Sequence, residues 1–519
     1  RDRHNVSLIG PNCLGLLNPE IKLNASFAPI MPKAGTIAFV SQSGALCASV
    51  LDYAAYRDMG FSKFISVGNK AQIGEEELLE FLYTDPKTKI IAMYIEELEE
   101  AQILQKIAQK ITKGKAHKPI VVLKSGKTKE GKKAAMSHTG ALGGSDEAYD
   151  ALFEQSGIIR ANTIEELFDI VDCFEKNKPI KNNKVAVITN AGGPGVLTAD
   201  ALIQSGLKLA TFASKTMQEL KTFLPPAASI GNPVDILGDA DSTRYKKTLE
   251  IILNDPSVSA VEIILTPQSM TEIRETALAI AALKKTSSKP IIASFMGHDL
   301  VEPGLVILND KNVSTSTFPE SAAKALSALS FFSKWQKTAI GKPTRANDVN
   351  AKIVRTVINA NSTSSQKLLS TEDVFTILNA YKFPTLERHI IKSEVDLAKV
   401  TETFKNPLVL KIISPQINHK IDVGGVILNV DPKDAGAAYK NLISHIKKTV
   451  PNANITGVEV TKMLNEGLEL ILGVKTDPKL GKQILVGLGG TYAEVISDVS
   501  WGLAPLTTGD INRMIASLK

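Results

Sequence analysis

The chain reads as an α/β protein: two doubly wound parallel-sheet domains, then a third domain of mixed α+β texture. Three observations carry this. First, β-branched runs recur through the first two thirds: TIAFV (36–40), KIIAMYI (89–95), PIVVLK (119–124), KVAVIT (184–189), AVEIILT (260–266) and PIIASF (290–295). Their near-continuous apolar character is that of strands buried on both faces. Second, helical patterns such as ALCASVLDYAAY (45–56) and VLTADALIQSG (196–206) lie between them, and this βαβ alternation builds parallel sheets. Third, the texture changes after about residue 367: LVLKII, VGGVILNV, ITGVEVTKML, GLELILGVKT and KQILVGLGG are strand-like runs with glycine-rich turns. That pattern suits an α+β nucleotide-binding domain.

The connections follow the same logic. VSLIG (6–10) reads as a strand, and the polar EKNKPIKNNK (175–184) reads as a boundary between the two α/β blocks. WQKTAIGKPTRANDVN (335–350) and the Ser/Thr-rich NANSTSSQK (359–367) read as a linker region. At 519 residues the chain has room for three or four domains of about 100–200 residues each.

Composition narrows the function classes. Hydrophobic residues make 44% and charged residues 22%, as in ordinary globular proteins. The net charge of +6 is spread widely, and aromatics are only 5%, which disfavours single-strand nucleic-acid binding by base stacking. Cys13, Cys47 and Cys173 are far apart without CxxC spacing, so neither a disulfide framework nor a zinc site is expected, and a reducing, cytoplasmic setting is. No apolar run approaches the roughly 20 residues that span a bilayer, and the start has no signal-peptide plan.

The richest chemistry lies in AMSHTGALGGSD (135–146), where His138 sits in a Gly/Ser/Thr loop just before a helix-forming stretch. Such a loop offers backbone amides and a helix N-terminus to an anion, and an imidazole there is a competent phosphoryl acceptor. Ligands of open parallel sheets gather at the carboxyl ends of strands. Ser41-Gln42-Ser43-Gly44, Glu96, Lys124-Ser125-Gly126 and Asn190-Ala191-Gly192-Gly193 all fall at such ends. A carboxylate at Glu96 would steady a cationic ring, given proximity to His138. The stretch 190–195 is an imperfect dinucleotide fingerprint without a clear acidic partner, so a nicotinamide oxidoreductase is disfavoured. In the last domain Lys411 ends a strand, and His419, Gly424 and Gly425 follow in a loop able to hold nucleotide phosphates.

In order, GPNCLG (10–15), SQSGAL (41–46), GFSKFISVGNK (60–70), KPIVVLKSGKT (118–128), SHTGALGGSDEAYDALFEQSGIIR (137–160), TNAGGPGV (189–196), NPVDILGDA (232–240), KIISPQINHKIDVGGVILNV (411–430) and VGLGGTYAEVISDVS (486–500) cover nearly the whole chain. This series resembles the ADP-forming acyl-CoA synthetases of the succinyl-CoA synthetase superfamily. The resemblance implies two flavodoxin-like domains, 34–178 and 179–335, a linker at 336–366, and an ATP-grasp domain at 367–519. Residues 1–33 would be the end of a Rossmann CoA-binding domain. It implies a transient phosphohistidine at His138, steadied by Glu96, with His419 as a second relay. Ser43, Gly44, Thr139, Gly140, Asn190, Gly192 and Gly193 would bind phosphate. Asn12 and Cys13 would contact coenzyme A, and Lys411, Gly424, Gly425, Glu459 and Glu469 would contact ATP. The implied ligands are ATP/ADP, Mg²⁺, coenzyme A, phosphate and a short-chain or hydroxy carboxylic acid, such as 3-hydroxypropionate or 4-hydroxybutyrate. A homo-oligomer is expected, with no nucleic acid or membrane partner.

The sequence also departs from that pattern. Thr461-Lys462 stands where Gln-Glu is common, and Trp501-Gly502 where Phe-Arg is usual. The chain reads as truncated at both ends, with the Mg²⁺ carboxylates expected beyond Lys519. The alternative is a non-catalytic or regulatory relative, against which the presence of His138 and Glu96 argues.

Overall fold

The first apolar runs assemble into a seven-stranded sheet of spatial order β2-β1-β4-β3-β5-β6-β7. Its strands are β1 (Gly15–Asn18), β2 (Leu23–Ser26), β3 (Ala34–Ser41), β4 (Phe61–Ser66), β5 (Ile90–Ile95), β6 (Ile120–Lys124) and β7 (Ile159–Ala161). From β4 to β7 every pairing is parallel, whereas β1 runs antiparallel to β2 and β4. Alternate residues of β3 serve opposite faces. Ile37 and Phe39 pack with helices Gly44–Tyr56 and Ile164–Lys176, while Ala38 and Val40 pack with Glu75–Thr84, Ala101–Lys113 and Asp146–Ser156. Burial on both faces is why these strands lack polar alternation.

The computed structural model describes residues 6–128, 130–131, 133, 145–343, 349–362, 369–402, 404, 406–417, 419–464, 467–490 and 498–518. They divide into two compact units: Arg1–Lys342 with Ile471–Gly487 and Ile496–Lys519, and Pro343–Leu470 with Leu488–Val495. Among the described residues no helix is long and apolar enough to cross a membrane.

The second sheet of the first unit comprises β8 (Lys184–Thr189), β9 (Lys208–Leu209), β10 (Val234–Asp235), β11 (Ala260–Leu265), β12 (Ile291–Phe295) and β13 (Ser314–Ser316). The order is β10-β8-β11-β12-β13 with β9 also beside β8, and every pairing is parallel. Glu262 in β11 is wholly buried. Ser294 donates to it at 3.3 Å, and burial pushes its carboxyl well above the usual range.

In the second unit, β14 (Arg388–Ile391), β15 (Leu408–Ile413), β16 (Val426–Val430) and β17 (Gly457–Lys462) form an antiparallel sheet of order β14-β17-β15-β16. Leu408, Leu410, Ile412, Val458 and Val460 pack against Leu397, Leu442 and Ile446 of helices Glu394–Thr401 and Ala435–Thr449. The last strands, β18 (Leu470–Asp477), β19 (Gly481–Leu488) and β20 (Val499–Leu503), make a separate three-stranded sheet. Most of it belongs to the first unit: Leu480 and Leu503 join the core of the first parallel sheet, and Trp501 packs against that core. Gln155 donates to the Leu503 carbonyl (3.1 Å) and accepts from its amide (2.8 Å).

One expected strand does not form. Val6–Gly10 pairs with none of the four sheets. The backbone is instead taken up by a loop: Ile73 N donates to Leu8 O (3.3 Å), Ala71 N to Gly10 O (2.9 Å), and Leu8 N donates to Gln72 Oε1 (2.9 Å). These bonds engage the backbone at Leu8 and Gly10 without a ladder, and Val6 and Leu8 are exposed, so the apolar run does not mark a buried strand.

Gly157, closing helix Asp146–Ser156, has φ +68°, and a Cβ there would lie 2.1 Å from Trp335 Nε1. Gly157→Ala should therefore cost about 2–4 kcal/mol through backbone strain and overpacking. Urea unfolding followed by Trp335 fluorescence checks this; a loss under about 0.5 kcal/mol would contradict the packing.

Candidate functional site

At the carboxyl edge of the first sheet, one carboxamide organises the strand ends. Gln42 follows β3, and its Oε1 accepts from the amides of Glu96 (2.6 Å) and Glu97 (3.1 Å), the residues that follow β5. Its Nε2 donates to Glu75 Oε1 (2.6 Å) and to the Glu97 carbonyl (2.7 Å). Glu75 is 1% exposed, and Lys70 Nζ reaches both Glu75 Oε2 and the Glu97 carbonyl at 3.2 Å. The buried carboxylate thus has a cation and an amide as partners, which its desolvation requires.

Helix Gly44–Tyr56 begins at the same edge. Ser43 caps it by accepting from Leu46 N (3.3 Å), and the Ser41 hydroxyl ties the turn by accepting from Ser43 N (3.1 Å) and donating to Ser43 O (2.9 Å). Helix geometry leaves other first-turn amides, including that of Gly44, without intrahelical partners, facing where an anion would bind. The GPNC loop crosses this corner. Leu14 N donates to Ser66 Oγ (3.0 Å), and a Cβ on Gly68 would lie 2.3 Å from Pro11 O. Asn12 is exposed, with its Nδ2 3.3 Å from Asn69 Oδ1, and Cys13 is half-buried. Asn12, Cys13, Ser43, Gly44 and Glu96 therefore share one edge.

The second sheet repeats the device. Thr189 ties its turn as Ser41 does, accepting from Ala191 N (3.0 Å) and donating to Ala191 O (2.8 Å). Asn190 bridges to the end of β11: Oδ1 accepts from Thr266 N (2.9 Å), and Nδ2 donates to Thr266 O (2.9 Å). The Asn190 side chain is thus engaged in positioning the turn, and anion contacts fall to the start of helix Gly192–Gln204, where no side chain caps and a Cβ on Gly193 would meet open space. His138, Thr139 and Gly140 lie outside the described residues.

In the second unit Lys411 stands directly opposite Glu459 across β15 and β17. Arg388 Nη1 lies 3.6 Å from Glu459 Oε2, and the guanidinium sits 3.7 Å from the Phe375 ring centroid. This face is opposite to the one that packs on the helices. Gly424 and Gly425 form the hairpin below it. A Cβ on Gly424 (φ +67°) would lie 2.5 Å from His445 Nε2, and one on Gly425 2.6 Å from Ile412 Cγ2. Their amides donate within the loop, to Ile421 O (3.0 Å) and Lys420 O (2.6 Å). His419 is exposed in the same loop. Glu469 is exposed and not part of that sheet, its carbonyl accepting from Gly489 N (2.7 Å). Of the departures noted in the sequence, Thr461 is buried in β17 and Lys462 is exposed.

From the sequence Gln42 is placed at a strand end without a role of its own, and neither Lys70 nor Glu75 is assigned one. Their contacts span 33 to 55 positions or rest on a loop turn, and no short-range period records such a network.

Comparison with known proteins follows this geometry. Residues 34–174 match the succinyl-CoA ligase like flavodoxin domain, 185–343 the ligase-CoA domain, and 360–519 the ATP-grasp domain. The chain is 40% identical over 520 residues to 4-hydroxybutyrate–CoA ligase [ADP-forming] of Nitrosopumilus maritimus, covering 100% of this chain and 74% of the relative. It is 38% identical over 518 residues to acetate–CoA ligase [ADP-forming] I of Archaeoglobus fulgidus, with the same coverage. Among solved structures, acetyl-coenzyme A synthetase 1 of Ca. Korarchaeum cryptofilum, in complex with phosphate and ADP, matches with a TM-score of 0.60 at 34% identity. That match covers 63% of this chain and 71% of the other.

Two outcomes test the carboxylate edge. Gln42→Leu strips acceptors from two amides and a donor from Glu75, and should lower stability by about 2–4 kcal/mol in urea unfolding. Glu76, beside Glu75, is raised to about 7 chiefly by burial, from an ordinary 4.5. The folded state then holds this proton more tightly than the unfolded chain, so its contribution is full below pH 4.5 and lost as pH rises through about 7. Glu76→Gln should raise the thermal midpoint at alkaline pH but hardly at acid pH; an equal shift at both would refute that account. The folds, the matched domains and the full-chain identities agree: this chain belongs to the family of ADP-forming acid–CoA ligases.

Proposed function

We propose that the chain interconverts carboxylic acid, CoA and ATP with acyl-CoA, ADP and phosphate by way of a phosphohistidine at His138. The supporting observation is the shared edge at which Glu96, fastened through its amide to Gln42, lies with the N-terminus of helix Gly44–Tyr56 and the Asn12-Cys13 loop. In the first step an imidazole nitrogen attacks the γ-phosphorus of ATP; the N–P bond forms and ADP leaves. In the second, a carboxylate oxygen takes the phosphoryl group, giving acyl phosphate and free His138. In the third, the CoA thiolate attacks the acyl carbon, and phosphate departs. Glu96 steadies the cationic ring, and the helix N-terminus supports the phosphoryl oxygens. Ser43, Gly44, Thr139, Gly140, Gly192 and Gly193 supply anion contacts, and Asn190 holds its turn.

Lys411 is suited to nucleotide phosphate, being a half-buried cation opposite Glu459 on the sheet face that does not pack on the helices. His419, exposed in the adjoining loop, serves as the second relay. Among the described residues no group of three or more His, Cys, Asp or Glu side chains converges as a metal site. Mg²⁺ bound through nucleotide phosphates needs only one or two protein carboxylates, so it would arrive with ATP and neutralise its phosphates. For the acid, we favour a short-chain acid with 4-hydroxybutyrate first; the Nitrosopumilus ligase of that name is 40% identical, as is the acetate–CoA ligase of Methanocaldococcus jannaschii, so the identities support the short-chain class and the acid panel ranks its members.

Incubation with γ-labelled ATP and Mg²⁺ should give acid-labile, base-stable label that His138→Ala abolishes. Label that persists in both His138→Ala and His419→Ala would overturn the mechanism. A panel of acids with CoA and ATP, read as ADP release, should rank 4-hydroxybutyrate above acetate by kcat/KM; the reverse order would overturn the substrate assignment.

A further inference from the structure

We infer that Lys479, on the turn between β18 and β19, is a positioning residue for the carboxylate edge at the end of β5. A segment matched to the ATP-grasp domain would thereby tune the phosphate site of the first parallel sheet. The inference rests on the phosphohistidine reading above.

The turn is built to stay in place. Asp477 Oδ1 accepts from the amides of Lys479 and Leu480, both at 2.9 Å, the side-chain turn that aspartate favours. Leu480 is 0% exposed and sits in the core with Leu98 and Leu104. Gly481 has φ +80°, and a Cβ there would lie 2.8 Å from Gln102 Nε2, so the turn approaches helix Ala101–Lys113 as closely as glycine permits. Ala101 N, at the start of that helix, donates to the Lys479 carbonyl at 3.3 Å. Docking thus comes from Leu480, Asp477 and Gly481, which leaves the Lys479 side chain for another purpose.

That side chain ends at Glu97, Nζ to Oε2 at 2.6 Å, with both groups half-buried. Glu97 directly follows Glu96, and its amide and carbonyl are both held by Gln42. The edge therefore gathers the carboxylates of Glu75, Glu96 and Glu97 where a phosphoryl group must be received. Lys70 balances Glu75, and Lys479 balances Glu97. Without Lys479 the Glu97 carboxylate loses its cation beside the phosphate site. It then opposes the incoming anion and competes with Glu96 for the ring.

The test measures the rate of base-stable labelling by γ-labelled ATP and Mg²⁺ in the full chain, with thermal midpoints recorded in parallel. Lys479→Met should slow labelling about tenfold, the scale of a small disturbance at a reacting centre. Lys479→Arg should stay within about twofold, and Glu97→Gln added to Lys479→Met should restore most of the rate by removing the unbalanced charge. Labelling by Lys479→Met at the wild-type rate would overturn the inference. So would slowing that neither arginine nor Glu97→Gln relieves, which would mark a merely structural lysine. Wild-type protein that takes no label, or label that persists in both His138→Ala and His419→Ala, would overturn the phosphohistidine reading first and this inference with it.

Discussion

The Gln42 carboxamide is the contact on which the first parallel sheet's working edge depends. Backbone amides that leave a strand end have lost their ladder partners and must find others when buried. Gln42 supplies an acceptor to two such amides, and donors to a buried carboxylate and a carbonyl. Each of these groups left unmade costs about 1–3 kcal/mol. One side chain thereby fixes the exit of β5 relative to the start of helix Gly44–Tyr56, and so fixes a carboxylate beside a helix N-terminus. Asn190 performs the same service between β8 and β11 with a shorter side chain. The paired hydroxyls of Ser41 and Thr189 close the two turns alike. The two parallel sheets are structural copies at this corner, although little of their sequence is shared.

Charge at the edge follows from that geometry. Carboxylates at 75, 96 and 97 would repel a phosphoryl group if left unbalanced. The lysines reach them from different elements, Lys70 from the loop after β4 and Lys479 from a turn near the end of the chain. This arrangement joins the first parallel sheet to a stretch that the ATP-grasp domain match includes. The division of the chain into compact units runs through that match, since Ile471–Gly487 groups with the parallel sheets. The buried Leu480 and the two hydrogen bonds of Gln155 to Leu503 account for it.

Glycine has different duties at the two candidate anion sites. Gly193 stands clear of other atoms, as a position left open to a ligand should. Gly424 and Gly425 are crowded by His445 and Ile412, and their amides are engaged within the loop. Packing alone requires glycine there, so residue type is weaker evidence of phosphate binding at 424–425 than at 193.

The sequence by itself determined six parallel strands, β3, β5, β6, β8, β11 and β12, because burial on two faces writes an unbroken apolar run into each. It also determined the candidate residues at strand ends, through the loop chemistry of 41–44 and 189–193 and through the family resemblance. In these two sheets it did not reveal β1, β2, β7, β9, β10 or β13, which are four residues or fewer and carry no usable period, nor β4, whose run FSKFIS is broken by polar residues. It misjudged Val6–Gly10, whose backbone bonds to a loop instead of a strand. Only the tertiary structure decided which polar groups meet: Gln42 with Glu96, Lys70 with Glu75, Lys479 with Glu97. The physical reason is that apolar burial repeats with the period of a strand or helix, whereas a hydrogen bond or ion pair between separate elements depends on how the chain returns upon itself.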